Sequence, residues 1–129
     1  MVEATNGLFV SDRLREMVRK YAANPNRFFS NGHISETALD TVIASQIAVD
    51  PQFKDGRACI IGTPVMVCEI VGDTLSLRKP VGFERYIYGG IIPPEAIDAA
   101  YAFLMRNHDK VVRDFEDTYG SPVPQDLYQ

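Results

Sequence analysis

The sequence predicts one mainly α-helical domain with a short β-hairpin near its middle. Three observations predict this fold class: apolar residues recur at helical spacing near both ends of the chain, helix-capping residues precede the helical stretches, and two short strand-like runs flank Gly56. A length of 129 residues suits a single hydrophobic core. The 46% apolar and 23% charged residues are close to the globular average, which argues against wholesale disorder.

The first predicted helix starts at a cap formed by Ser11 or Asp12 and ends before Asn24-Pro25. Its apolar residues follow the i, i+3, i+4, i+7 pattern of one buried stripe: Leu14, Met17, Val18 and Tyr21. Residues 25–33 are predicted to form a loop whose Phe28 and Phe29 tuck under the core. A second helix is predicted from Ser35, with a hydrophobic staple between Ile34 and Leu39.

The chain then changes character around a predicted hairpin. Ile47 and Val49 alternate with polar or small neighbours, and Asp50-Pro51 ends any helix. Residues 58–61 form the second strand-like run, and Gly56 lies between the two. Residues 64–77 are ambiguous, since residues 71–74 suit a hairpin turn while apolar positions also recur at helical spacing. Local signals slightly favour the hairpin turn.

A single long helix is predicted over residues 94–119. Proline and an acid occupy its first turn, and Gly120 follows it as a C-terminal cap. These 26 residues would span about 39 Å. The chain beyond Gly120 is predicted to be an extended tail.

Charge and cysteine usage limit the functional classes. The net charge is −4, with +3 over residues 12–27 and −4 from Pro94 onwards. The basic run is either a solvated helix face or an arm for an acidic partner such as nucleic acid. Cys59 and Cys68 are predicted to be buried thiols in a reducing compartment, which implies a cytoplasmic location and no metal site. No apolar run approaches the length of a membrane helix, so no membrane association is expected.

The middle of the chain resembles a small family, the domain of unknown function 433. The resemblance lies in Asp50-Pro51, the run Gly-Arg-Ala-Cys-Ile-Ile-Gly-Thr at residues 56–63, the valine-rich residues 65–67 and the helical residues 94–104. Pro64 departs from the family pattern, which usually has arginine after Gly-Thr. The resemblance covers residues 47–107, with an N-terminal helical extension at residues 1–46 and a C-terminal helix extension and tail at residues 108–129.

This resemblance implies a three-helix core like a helix-turn-helix. Residues 65–77 would then be helical rather than a hairpin, a short helix would follow near residues 81–88, and Gly89-Gly90 would precede the long helix. Members of the family resemble antitoxins whose toxins are often nucleases, so the resemblance implies a DNA-binding regulator that holds a nuclease-like toxin and binds its own operator as a dimer. The alternative hypothesis is a protein-interaction or assembly module without DNA binding.

Two sets of site residues follow from these hypotheses. No nucleophile arrangement or phosphate-binding glycine loop is present, so an enzyme and a cofactor are not expected. The first exposed positions of a long recognition helix would be Glu95, Asp98 and Ala99. Residues expected to meet DNA phosphates are Arg78, Lys79, Arg85, Arg106, Lys110 and Arg113. The apolar stripe expected to form a homodimer or partner interface contains Tyr101, Leu104, His108, Val111, Val112 and Phe115.

Overall fold

The computed structural model describes residues 10–72 and 92–120, and within them the mainly helical fold with short hairpins is confirmed. The helices are α1 (Asp12–Tyr21), α2 (Glu36–Gln46), α3 (Val67–Ile70), α4 (Pro94–Arg106) and α5 (His108–Tyr119). The strands are β1 (Phe29–Ser30), β2 (His33–Ile34), β3 (Ile47–Ala48) and β4 (Cys59–Ile60). Two single 3-10 turns lie at Pro25–Arg27 and Lys54–Gly56.

The first two helices begin at the serines that the sequence indicates. The Ser11 hydroxyl accepts a hydrogen bond from the Leu14 N–H at 3.2 Å, and the Ser35 hydroxyl accepts one from the Ala38 N–H at 3.3 Å. Each bond satisfies an amide that has no partner within its helix. The predicted stripe of α1 is confirmed at Leu14 and Val18, which are buried in the core.

The predicted central hairpin is confirmed, and a second hairpin was missed. β3 and β4 are antiparallel, with Ile47 opposite Ile60. β1 and β2 form another antiparallel pair. Three of its four residues lie within the stretch 25–33, so the prediction of a plain loop there is wrong. Asn31 and Gly32 connect these strands with φ of 53° and 80°, the left-handed conformation that a two-residue hairpin turn requires.

On the side away from β3, the β4 segment forms backbone hydrogen bonds with the residues that lead into α3. The Ile60 N–H donates to the Val65 carbonyl and the Val67 N–H to the Ala58 carbonyl, each at 2.9 Å. α3 follows at Val67–Ile70, so the helix that the resemblance implies over residues 65–77 is confirmed at these residues, although it begins at Val67 and not at Val65, and the alternative hairpin is wrong. The predicted continuation of the helix to residue 77, the helix near residues 81–88 and the turn at Gly89-Gly90 lie outside the described residues.

The predicted single helix over residues 94–119 is wrong, because it breaks at Asn107. This residue has φ −133° and ψ 49°, its N–H closes α4 on the Phe103 carbonyl at 2.7 Å, and its carbonyl opens α5 by accepting from the Val111 N–H at 3.1 Å. The break changes the direction of the chain, so that α5 packs on both α3 and α4. The predicted ends are confirmed at Pro94 and at Gly120, whose φ of 71° is typical of a helix C-terminus.

α4 lies at the centre of the fold. All ten of its residues from 96 to 105 are buried, and α1, α2, α3, α5 and β3 pack around it. β3 begins directly after the last residue of α2, and both elements contact α4. The helix therefore has no broad solvent-facing side. Among residues 10–72 and 92–120, no helix has both the length and the apolar character needed to span a membrane.

Candidate interaction surfaces

The residues predicted to contact phosphates do not form one basic surface in the described part of the chain. Arg78, Lys79 and Arg85 lie outside the described residues. Arg106, Lys110 and Arg113 were expected to share one side of a continuous helix, but the break at Asn107 separates the first from the other two. Each of the three must therefore be considered by its own contacts.

Arg106 is bound to two carboxylates of α2. Its Nε and Nη2 donate to the two oxygens of Asp40 at 3.0 and 2.7 Å, and its Nη1 donates to Glu36 at 3.0 Å. Hydrogen bonds to Asp40, together with those to Glu36, raise the pKa of Arg106 although burial lowers it. The two parallel hydrogen bonds from Arg106 to Asp40 fix the relative orientation of the guanidinium and the carboxylate. Three of the five N–H donors of Arg106 and its positive charge are thus already matched by acids of the same chain, which disfavours a phosphate at this side chain.

Lys110 and Asp114 on α5 hold the loop of the central hairpin. The Lys110 Nζ donates to the Gly56 carbonyl at 2.8 Å and lies 3.4 Å from an Asp114 carboxylate oxygen. The other Asp114 oxygen accepts the Ala58 N–H at 3.1 Å. No sequence signal indicates this loop contact, because the groups lie more than fifty residues apart. Lys110 thus acts inside the fold.

Arg113 remains exposed on α5, but acidic residues surround it along the helix. Asp109 lies four residues before it and Asp117 four residues after it, and both are exposed. Residues four apart are neighbours on a helix surface, so this part of α5 presents mixed charge with an acidic excess. It is a poor surface for DNA phosphates.

The start of α4 is also unlike the start of a recognition helix. Asp98 and Ala99, expected to be exposed, are both fully buried, and only Glu95 of that predicted trio is exposed. The two Asp98 oxygens accept the Asn24 N–H at 2.9 and 3.1 Å, and one of them lies 2.6 Å from the Arg27 Nε. No sequence signal identifies this contact, since a buried aspartate and a solvated one look alike in a helix.

The apolar stripe predicted to form an interface lies mostly within the chain's own core. Tyr101, Leu104 and Val111 are fully buried, and Phe115 is 7% exposed. The stripe does not lack cover, because α5 turns back at Asn107 and packs on α3 and α4. Phe115 packs so closely on Gly72 that a Cβ atom at Gly72 would lie 3.5 Å from its ring. The premise that this stripe needs a partner is therefore wrong. His108 and Val112 are only partly buried.

The largest exposed apolar side chains of the described residues concentrate instead near the central hairpin. Val49, Phe53 and Ile61 are 47%, 44% and 51% exposed. A fourth, Tyr119, lies at the end of α5 and is 49% exposed. We call the exposed residues at this hairpin the hairpin surface. It consists of the three apolar residues Val49, Phe53 and Ile61 and of three charged neighbours, Asp50, Lys54 and Asp55.

The second exposed feature is the basic α1. Arg19 lies 5.1 Å from the centre of the Phe29 ring and donates to the Gly32 carbonyl at 3.3 Å, so it also anchors the β1–β2 turn. Around the helix, Asp12 and Glu16 lie between the two pairs of basic residues, which are Arg15 with Arg19 and Arg13 with Lys20. The outermost strip of α1 is therefore acidic.

The two cysteines are buried and unpaired, as predicted. Burial raises the pKa of the Cys68 thiol to about 11, and burial also raises the pKa of Cys59. Both therefore remain thiols at neutral pH, whereas a cysteine nucleophile reacts as a thiolate. Within residues 10–72 and 92–120, no three side chains among His, Cys, Asp and Glu come together in a way that could hold a metal ion.

Comparison with known proteins adds no relative to these observations. No family model, curated protein or solved structure matches the chain. The resemblance to the domain of unknown function 433 family therefore stays a prediction.

Proposed function

We propose that this chain is a protein-interaction or assembly module and that α4 does not act as a DNA recognition helix. One observation carries the proposal: residues 96–105 of α4 are all buried by other parts of the same chain. A recognition helix has to place side chains against base edges in the major groove. A helix that five neighbouring elements cover could do so only after the fold had opened.

The charges support the same proposal. Arg106 is held by Asp40 and Glu36, and Lys110 by Gly56 and Asp114. Affinity for DNA depends on cations that can replace counterions at the phosphates. The charge of each of these two side chains is already balanced by carboxylates of the same chain, which weakens its attraction for a phosphate.

The proposal includes a cytoplasmic location and no enzymatic activity. Both thiols are buried and unpaired, a state that a reducing compartment maintains. Their raised pKa values keep both cysteines, the most nucleophilic side chains of the sequence, protonated and out of covalent chemistry at neutral pH.

A mobility-shift titration tests the proposal. The full chain is titrated at low salt against the DNA upstream of its own reading frame and against a random duplex of equal length. We expect no sequence-specific band. A band for the upstream DNA that weakens steeply with salt would show phosphate binding and would overturn the proposal.

The second candidate is the antitoxin-like DNA-binding regulator with a nuclease-like toxin as its partner. One structural observation favours it: Lys20 lies on the exposed side of α1 and is not ion-paired with an acid of the described residues. If α1 meets DNA, Lys20→Gln should lower the slope of log affinity against log salt by about 1. Lys54→Gln, on the hairpin surface, is the matched control and should leave the slope unchanged.

A further inference from the structure

We propose that Arg15 and Arg19 of α1 form a binding site for a short acidic segment of a partner protein. This inference rests on the proposed function, a protein-interaction module, and names the chemistry of its partner. The two arginines lie one helical turn apart on the flank of α1 that faces the β1–β2 hairpin. Residues four apart on a helix are neighbours, with about 5–6 Å between their Cβ atoms.

Arg15 has a positive charge that no acid of the described residues balances. Its side chain is only partly exposed, and its Nε is buried without a hydrogen-bond partner. Neither Asp12 nor Glu16 of the same helix forms an ion pair with it. The Nε of Arg57 is also buried and unpartnered, but that guanidinium lies 3.8 Å from Asp55. A buried donor without an acceptor destabilises a fold, and a ligand that supplies the acceptor would account for Arg15.

Arg19 is held in place by the hairpin and keeps most of its donors. Its guanidinium lies 5.1 Å from the centre of the Phe29 ring, and its Nη2 donates to the Gly32 carbonyl at 3.3 Å. A guanidinium has about five N–H donors, so most of them are left for a ligand. Neither the ring nor the carbonyl neutralises its charge. A guanidinium fixed in advance loses little conformational entropy when it binds a ligand, which favours binding.

The spacing of the two arginines fits two carboxylates on an extended chain. Four residues of an α-helix rise about 6 Å along its axis. Alternate side chains of an extended segment point to the same side, about 6.5–7 Å apart. A segment with acidic residues at alternate positions therefore places one carboxylate at each guanidinium. Each pair can form two parallel hydrogen bonds, the geometry that arginine provides and lysine does not.

The neighbouring acids of α1 favour a short segment over a nucleic acid. Asp12 and Glu16 are exposed and border the two arginines on their outer side. The phosphates of a duplex form a continuous row of negative charge, so they would meet these carboxylates as well. A short acidic segment can bind across the arginines and leave the outermost strip of α1 in water.

Titration of the full chain with two peptides, followed by backbone NMR shifts, tests the proposal. The probe is a hexapeptide of alternating serine and glutamate, and the control peptide has glutamine in place of each glutamate. We expect only the glutamate peptide to bind, with shifts at α1 and the β1–β2 turn and an affinity that falls as salt is added. Arg15→Gln should weaken binding about tenfold, the effect of losing one charge-assisted contact.

Lys20→Gln is the matched control for the loss of charge. Lys20 is an exposed cation on the other side of the same helix. Because salt screens exposed charges that do not touch the ligand, its replacement should weaken binding by less than about twofold at physiological salt. An equal loss for Lys20→Gln and Arg15→Gln would show that the peptide follows net charge alone, and it would overturn the site.

Thermal unfolding separates a binding role of Arg15 from a structural one. Because no described acceptor binds the Arg15 guanidinium, Arg15→Gln should unfold at the same temperature as the native chain or at a higher one. The glutamate peptide should raise the unfolding temperature of the native chain and leave that of the variant unchanged. Arg15→Lys keeps the charge but loses the planar fork, so its affinity should lie between the two. A lower unfolding temperature for Arg15→Gln without peptide would show that Arg15 serves the fold, and it would overturn the proposal.

The outcomes separate this inference from the proposed function. Absence of binding by the glutamate peptide, or equal binding by the glutamine peptide, overturns the acidic-segment site and leaves the proposed function to the mobility-shift titration. Binding of the random duplex that Arg15→Gln abolishes would show that the two arginines take phosphates, and it would overturn the choice of partner. A specific band for the upstream DNA overturns the proposed function whatever the peptide does.

Discussion

Asp98 on α4 and Asp114 on α5 both bind a backbone amide from a distant part of the chain, but their surroundings differ. Asp98 has no solvent exposure, and both of its oxygens are used by Asn24 and Arg27. Asp114 keeps 10% side-chain exposure, and its cationic partner Lys110 lies 3.4 Å away, against 2.6 Å for Arg27 and Asp98. The first contact belongs to the core, and the second lies at its margin.

The difference indicates different roles for the two helices. Asp98 fixes the turn after α1 onto the buried α4, so its contact should govern whether the domain is folded. Asp114 and Lys110 hold the loop of the central hairpin, which presents Phe53, so their contact should govern the shape of the hairpin surface more than global stability. Substitutions at the two carboxylates test this comparison directly.

The largest effect is expected at Asp98. Asp98→Ala leaves the Asn24 N–H and the Arg27 guanidinium without their acceptor. Because the Arg27 side chain keeps 31% exposure, water can partly solvate it, and the loss should approach the lower end of the roughly 3–5 kcal/mol that breaking a fully buried ion pair costs. Urea unfolding should show a loss of that size, and Asp98→Asn, which keeps one acceptor oxygen, should lose less. Asp117→Ala, at an exposed position of α5, is the control and should stay within about 0.5 kcal/mol of the native chain. Equal stability of the Asp98 and Asp117 variants would contradict the assignment of Asp98 to the core.

A smaller and more local effect is expected at Asp114. Asp114→Ala leaves the Ala58 N–H without its acceptor, and an unsatisfied buried donor costs about 1–3 kcal/mol. Lys110 keeps its bond to the Gly56 carbonyl, so the loop is loosened but not released. After the exchange rates are corrected for the change in global stability, amide hydrogen exchange should be faster at Ala58 and unchanged at Asn24. Equal acceleration at both amides would mean that the Asp98 contact and the Asp114 contact are not independent.

The sequence predicts local features of this fold well because local features depend on adjacent residues. The serine caps of α1 and α2, the central hairpin, and the ends of the last helical stretch at Pro94 and Gly120 are all visible in short windows. The β1–β2 hairpin was also within reach, since Asn31-Gly32 is a strong turn signal. It was missed because strands of two residues are too short to show an alternating pattern.

The features that were not predicted depend on contacts between distant residues. The apolar pattern continues through Asn107 at steps of three and four, so it gives no sign that the helix changes direction there. The partners of Asp98 lie 71 and 74 residues away, and that of Asp114 lies 56 residues away. Without those contacts, Arg106 and Lys110 look like solvated cations, which is why the sequence suggested phosphate binding at residues that the fold uses internally.

The smallest effect is expected at Cys68, a buried thiol that Thr118 links to Asp114. The Cys68 Sγ lies 3.9 Å from the Thr118 hydroxyl, which in turn donates to the Asp114 carbonyl at 2.7 Å. Burial is the main cause that raises the pKa of Cys68 from 9.0 to about 11, the Thr118 hydrogen bond opposes this shift, and the negative charge of Asp114 adds to it. The thiol therefore keeps its proton to higher pH in the folded chain than in the unfolded chain.

The sign of the resulting pH dependence follows from proton binding. Below the pKa of the unfolded thiol, both states are protonated and Cys68 has its full stabilising effect. As the pH rises from about 9 to about 11, the unfolded chain loses this proton first, so the free energy of unfolding falls. Urea unfolding across this range should show a smaller fall for Cys68→Ala than for the native chain. In Asp114→Asn the pKa of Cys68 should be lower, because a negative charge has been removed, so the fall attributable to Cys68 should end at a lower pH. An identical pH dependence for the native chain and Cys68→Ala would show that the thiol is not buried as described. A response to Asp114→Asn would confirm that the negative charge of Asp114 acts on the buried thiol at this margin of the core.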